Sequence, residues 1–371
     1  MRPSVPNPFF VSEGLEVPYR DAVVCGDHAF LSGQISMEYS NASLLHEGDL
    51  AGQTALTMQR MGEILERIGF SPDDMVKVHA YVLGTDEDGA ASVAQQAEGL
   101  PGQFAHTGVM VPSLIQPGYL VEIDALAVRG AGSGVESSNG SNGSKFPSAV
   151  AAGPFVHLSA HTAEQGGDDT EAELQVVVDR LRATLGEFDL ELDRVVRATA
   201  FAGTRDAAAA VEAALPGLLP NAAISCLVVP SVLAGDATVA VDATAAISGP
   251  IERVGTRKSG APQGVLCNDG AVLFVSAQSP ADDNEDAIPE DVPEQVRAVM
   301  ERLKTVIEEC GGTMDHVAKQ GLYYSTWDGW RESVPVRSSY YEKVLAGIAF
   351  GADHADPRVL VQSDAVVFLD D

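Results

Sequence analysis

Read strand by strand, this 371-residue chain is an α+β protein, three tandem β-β-α-β-α-β-β units closed into an intramolecular pseudo-trimer barrel. A strand ending in a small-residue turn occurs three times, as FLSGQIS from Phe30, VHLSAHT to Thr162 and LFVSAQS to Ser279. A helix-period segment follows each: QTALTMQRMGEILERIG, EAELQVVVDRLRATLGEF and PEQVRAVMERLKTVIEECG. Apolar residues recur in them at i, i+3, i+4 and i+7. Each helix leads through a short acidic turn into a strand closed by Thr85, Thr204 or Thr326, a period of about 120 residues.

The opening strands share their phase, since Gly26, Gly153 and Gly270 each stand six residues before Ser32, Ser159 and Ser276. The first helix of each unit carries an Arg–apolar pair at its middle: Arg60-Met61, Arg180-Leu181 and Arg302-Leu303. The units close on VEIDALAV, VAVDATAAI and VQSDAVVF, each with an aspartate before alanine: Asp124, Asp242 and Asp364. Two helices cover one sheet face and leave apolar strands such as AVLFVSA needing cover, which three equivalent units give one another around an axis. The expected organisation is a first domain at 1–130, a Gly/Ser/Asn-rich linker at 131–145, a degenerate second domain at 146–250 and a divergent third at 251–371.

The formal charge of −30, from 53 acidic and 23 basic residues, repels polyanions and argues against nucleic acid as a partner. No run of about 18 apolar residues is present to span a membrane. MRPSVPNPFF lacks the apolar segment of a signal peptide. Four cysteines, Cys25, Cys226, Cys267 and Cys310, lie far apart without CxxC spacing. That argues against a zinc site or a disulfide framework and fits a reducing cytoplasm. The sequence also lacks a nucleophile elbow, a phosphate loop and an HExxH pair.

Unit 1 carries PYRDAVVCGDHAFLSGQIS, the helix QTALTMQRMGEILERIG, the strand MVKVHAYVLGT and VEIDALAVRG in that order. Along nearly its whole length it resembles the Rid family, the reactive intermediate deaminases also called YjgF/YER057c/UK114 proteins. Units 2 and 3 match mainly through the internal period. The resemblance implies a chorismate-mutase-like fold and a homotrimer with clefts between subunits, fused here end to end into a monomer with pseudo-threefold symmetry. It further implies hydrolysis of enamines and imines to a keto acid and ammonia, on a small-molecule substrate, with no metal or organic cofactor. In that chemistry an arginine clamps the substrate carboxylate, a glutamate on the last strand orients water, and a tyrosine and a Ser-Gly turn line the cleft.

Carried over residue by residue, the tyrosine falls on Tyr19, the turn on Ser32-Gly33 and the glutamate on Glu122, while the arginine position holds His106. The unit 2 counterparts are Phe146, Ser159-Ala160, Ala240 and Ile224. In unit 3 the tyrosine becomes Gln263 and the glutamate Gln362. Arg337 of VPVRSSYYEKVL either forms the clamp turn or precedes a second helix at YYEKVLAG, and Arg358 is the other clamp candidate.

His106 reads as a general acid or base, or as filler in a vestigial cleft. Glu122 is costly to bury in an apolar strand without a partner or a task, and Asp124 reads as a structural hydrogen-bonding residue. Trp327 and Trp330 flank a turn and are expected to enlarge an apolar substrate pocket. The functional expectation is an enamine or imine deaminase with a working cleft of Tyr19, Ser32, Glu122 and His106. The alternatives are the same cleft turned to another cyclisation, tautomerisation or hydrolysis in a specialised pathway, and a catalytically silent binder or scaffold.

Overall fold

The computed structural model describes residues 4–6, 17–38, 40–41, 43–133, 136–138, 145–163, 166, 169–281 and 288–370. Unit 1 runs β1 (Ser4–Pro6), β2 (Tyr19–Cys25), β3 (His28–Gln34), α1 (Leu50–Arg67), β4 (Met75–Val82), α2 (Asp86–Gly99), β5 (Ala105–Met110) and β6 (Val121–Val128). Unit 2 runs β7 (Glu136–Ser137), β8 (Ala149–Ala152), β9 (Phe155–Thr162), α3 (Thr170–Gly186), β10 (Val195–Ala202), α4 (Arg205–Leu218), β11 (Ala223–Val228) and β12 (Val239–Ala246). Unit 3 runs β13 (Glu252–Val254), β14 (Gly264–Cys267), β15 (Val272–Gln278), α5 (Val292–Glu309), β16 (Val317–Tyr324), α6 (Trp330–Ser338), β17 (Leu345–Gly351) and β18 (Val361–Phe368). Of the anticipated linker, residues 134–135 and 139–144 lie outside the described residues, and Glu136–Ser137 pair with β8 at a sheet edge.

All three units share one strand order: an antiparallel hairpin, then the last strand, then two parallel middle strands. The anticipated β-β-α-β-α-β-β unit therefore recurs three times. Local chemistry sets the second helices: the Thr85 hydroxyl accepts the Asp88 N–H at 3.2 Å and the Thr204 hydroxyl accepts the Ala207 N–H at 3.1 Å, each starting a fourteen-residue helix. Unit 3 departs from this. Its helix α6 starts after Gly329 (φ +77°) without a side-chain cap and runs nine residues. The expectation of a helix at YYEKVLAG is corrected accordingly, because that segment leads into β17 and Arg337 sits in the last turn of α6.

The hairpins differ too. The turns of units 1 and 2 hold two residues, between Cys25 and His28 and between Ala152 and Phe155, whereas Cys267 pairs with Val272 across four. Asn268 and Asp269 take left-handed conformations there (φ +52° and +55°). Register then places Ala261, rather than Gln263, at the position of Tyr19 and Phe146.

Three sets of contacts close the units in one direction, 1 to 2 to 3 and back to 1. Strand β17 of unit 3 pairs in parallel with β2 of unit 1, Leu345 opposite Tyr19, so those two units share a twelve-stranded sheet. At the strand ends the Met110 N–H bonds the Ser231 carbonyl, Val228 bonds Asp353 and Gly351 bonds Ser113, at 2.9, 2.8 and 2.8 Å. The small-residue turns form the second set. The hydroxyls of Ser159, Ser276 and Ser32 accept the N–H groups of His106, Ile224 and Gly347 at 2.9, 3.0 and 2.8 Å. Each serine also donates to its own unit, to Pro147, Pro262 and Arg20 carbonyls.

The third set is ionic and buried at the centre. Lys77 approaches Asp242 at 3.5 Å, Arg197 bonds Asp364 at 3.1 Å and Lys319 bonds Asp124 at 2.6 Å. His79 breaks the symmetry by placing Nδ1 2.7 Å from Asp124 and Nε2 3.2 Å from Asp242; the register-equivalent residues are Thr199 and Gly321. Asp124 is thus the structural residue expected, though it holds an ion pair as well as a hydrogen bond. None of the helices among the described residues is long and apolar enough to cross a membrane.

Burial alone would raise the Asp124 carboxyl, but Lys319 and His79 outweigh it and hold the group below its ordinary range. A depressed folded-state value means the contribution to stability is full above the unfolded aspartate value of about 3.9 and is lost as pH falls below it. Lys319→Ala, which strands one of the paired carboxylates, is expected to cost about 3–5 kcal/mol in urea unfolding at pH 7 and to flatten the acid limb of the stability profile. A loss near zero would show that the ring does not hold the units.

Candidate functional site

The cyclic order decides which residues meet. Strand β5 of unit 1 faces unit 2, so His106 is not in the cleft of Tyr19 and Glu122, which corrects the site expected from the sequence. The His106 ring stacks on Phe146, with centroids 4.2 Å apart and planes 8° from parallel, and its Nε2 lies 3.1 Å from Gln96 Oε1. Burial, then the charges of Lys77 and His79, pull its pKa down to about 3. A neutral, stacked imidazole cannot clamp a carboxylate. The 1/2 cleft also holds His161, whose ring nitrogens lie 2.8 Å from the Ser159 carbonyl and from Thr184 Oγ1. The 2/3 cleft has Ile224, Ala261 and Gln362 at the clamp, tyrosine and carboxylate positions, and Arg257, Lys258, Glu212 and Asp356 also line it.

The 3/1 cleft brings the expected groups together. Unit 1 supplies Tyr19, Ser32, Gly33 and Glu122, and unit 3 supplies Gly347, Ile348 and Arg337. Gly347 occupies the register position of His106 and Ile224, so the clamp strand offers no side chain here. A Cβ at Gly347 would lie 2.6 Å from the Tyr19 ring; its absence admits that ring.

The cation comes instead from α6. Arg337 is 1% exposed and donates through Nη1 to Tyr324 Oη at 3.1 Å and Ser333 Oγ at 2.9 Å. It lies over the rings of Trp330 and Tyr19, 5.4 and 5.7 Å from their centroids, and its Nε has no hydrogen-bond partner among the described residues. The unspent donor makes Arg337 a ready carboxylate ligand. Arg358, the other clamp candidate, pairs with Asp356 in an exposed turn.

Glu122 sits on β6, 6% exposed, with Oε2 buried and unpaired among the described residues. Burial, and then the charge of Asp124, raise its carboxyl well above the ordinary range, against a smaller opposing effect of Lys319. Its acid form therefore persists to higher pH than that of an ordinary carboxyl. A Cβ at Gly33 would overlap the Glu122 carboxyl as it stands, so the glycine lets that side chain lie against the turn. Tyr19 donates to Gln320 Oε1 at 2.9 Å, and burial pushes its pKa up to about 12, with Arg337 opposing. Ile35, Met37, Ile115 and Leu322 add an apolar wall, and the buried Asp21 and Gln34 also line the cleft.

Two other expectations change. Ser32 lines the cleft, yet its hydroxyl is occupied by Gly347 and Arg20, so it joins the units. Trp327 and Trp330 do not line the cleft: Trp327 bonds Ser113 Oγ at 2.8 Å, and Trp330 supports Arg337 from behind. Arg337→Lys keeps the charge and loses the planar fork and its stacking. It is expected to weaken binding of a simple 2-oxo acid by about tenfold or more, read by calorimetry. Unchanged affinity would remove Arg337 from the site.

The family model described as Endoribonuclease L-PSP matches residues 13–129 and 263–368, the first and third units. A RutC family protein of Pyrococcus abyssi is 27% identical over 101 residues, covering 27% of this chain and 80% of that protein. A RutC family protein of Pyrococcus horikoshii is 28% identical over 112 residues, covering 30% and 87%. A solved chorismatase superposes with a TM-score of 0.54 over 81% of this chain and 94% of its own, at 15% identity, which shows a shared fold over that span. With the family model matching more than half the chain, this protein belongs to the Endoribonuclease L-PSP family, the Rid or YjgF family, as a tandem three-unit member.

Proposed function

We propose that the 3/1 cleft hydrolyses a carboxylate-bearing enamine or imine, and that the 1/2 and 2/3 clefts do not. The observation that carries this reading is the meeting, in one cleft, of Glu122, whose carboxyl is held well above its ordinary range, and a buried Arg337 with a spare donor. Arg337 holds the carboxylate. Glu122 gives its proton to the enamine carbon, leaving an iminium ion, and water adds to the iminium carbon while returning a proton to Glu122. Collapse of the adduct expels ammonia and leaves the 2-oxo acid. An imine substrate takes its proton on nitrogen and then follows the same course. Cleavage of RNA is disfavoured by the net charge of −30.

A second reading keeps the first proton transfer and changes the leaving group. An enol ether protonated on carbon yields an oxocarbenium ion, and water then releases an alcohol. The apolar wall of Ile35, Met37, Ile115 and Leu322 suits a ring-bearing substrate, and the shared fold with a chorismatase makes chorismate the natural probe.

The test is ammonia and 2-oxo acid release from imines generated in situ by an amino-acid oxidase, run beside chorismate consumption. Glu122→Gln is expected to lower the rate by about 10²–10⁴. Because the acid form acts, wild-type rate is expected to fall as pH rises through the elevated Glu122 value, a limb the variant lacks. Acceleration of neither substrate, or a rate indifferent to Glu122→Gln, would overturn the assignment.

A further inference from the structure

The central ion ring separates two chambers that share His79, Arg197, Asp242 and Lys319. One is lined by all three ring carboxylates, Asp124, Asp242 and Asp364. The other, on the opposite side, is lined by Phe30, Phe155, Phe274 and Phe368 with His28 and His157. Of the ring carboxylates it meets Asp242, while Lys77, Arg197, Lys319 and His79 all border it. The phenylalanine chamber is therefore bordered by three ring cations and one ring carboxylate, and its phenyl walls carry no formal charge.

Two buried groups point to what it holds. His157 is 3% exposed and His28 8%, and the Nε2 of each has no hydrogen-bond partner among the described residues. His157 stands at the position that Phe30 and Phe274 occupy in the other units, so a phenylalanine would pack there. A buried ring nitrogen left unpaired is costly unless something completes it. Burial, then His28, Lys77 and Arg197, hold the His157 pKa down to about 3, and burial lowers that of His28. Both are neutral imidazoles, each still able to offer an N–H. Arg197 keeps donors beyond the Nη2 it gives to Asp364, with 26% of its side chain exposed. The cavity is about 50 Å³, room for one small ion.

We propose that this axial chamber is a binding site for a small monovalent anion of halide or formate size, held by the ring cations and the N–H groups of His28 and His157. It is separate from the 3/1 cleft and does not depend on the reaction there. Bromide is the probe. Crystals of the full chain soaked in bromide are expected to show anomalous density in the chamber against His157 or Arg197. Bromide found at surface positions and absent from the chamber would overturn the site. In solution, bromide is expected to raise the melting temperature more than gluconate at equal ionic strength. The His28→Phe/His157→Phe double variant should weaken that response about tenfold. An equal shift with gluconate, or an unchanged bromide response in a folded double variant, would also overturn it.

Discussion

A cation from each unit neutralises the buried aspartate of the next, Lys77 on Asp242, Arg197 on Asp364 and Lys319 on Asp124, and the remaining geometry depends on that handover. Pairs of this kind add little net stability when intact and cost much when one partner is removed. Their force here is directional: three carboxylates at one centre are all matched in a single cyclic order. The serine bonds run the same way, with Ser159, Ser276 and Ser32 each taking an N–H from the preceding unit. Order and register of the units are thereby set together.

That order also splits every cleft between two units. One contributes the Tyr19-type, Ser-Gly and Glu122-type positions, and its predecessor contributes the clamp strand. In a homotrimer three such clefts are identical by symmetry. Within one chain they can change separately, and they have. The 1/2 cleft keeps a wide space, with Phe146, His106 and Ala240 at the tyrosine, clamp and carboxylate positions and Arg180 in its lining. The 3/1 cleft has lost the clamp side chain at Gly347 and regained a cation from a different element, Arg337 of α6. Trp330, Ser333 and Tyr324 hold that arginine where no strand side chain could sit without striking Tyr19.

Much of this was legible in the residues, and the failures have physical causes. The period, the helices and the aspartates before alanine follow from local pattern, and Glu122 was marked by its cost in an apolar strand. The partner of Glu122 was not legible, because β5 leaves its own unit and only the closed ring shows where His106 arrives. The serines looked like a substrate-facing turn, since their bonds across the joint join residues as far apart as Ser32 and Gly347. Arg337 was ambiguous because a missing cap at Thr326 moves the second helix of unit 3. The spacing that suggested Gln263 failed on two extra residues in the turn before Val272. A pairing of Trp330 with Arg337 on one short helix was the available signal for Arg337 as the proposed clamp.

The central claim is that one cleft, assembled from units 1 and 3, receives the substrate carboxylate. A crystal structure of the full chain with a stable 2-oxo acid or benzoate tests it most directly. The account predicts the carboxylate against Arg337, with its carbon skeleton beside Glu122 and Ile348. A ligand bound in the His106 cleft instead, with Arg337 untouched, would contradict it.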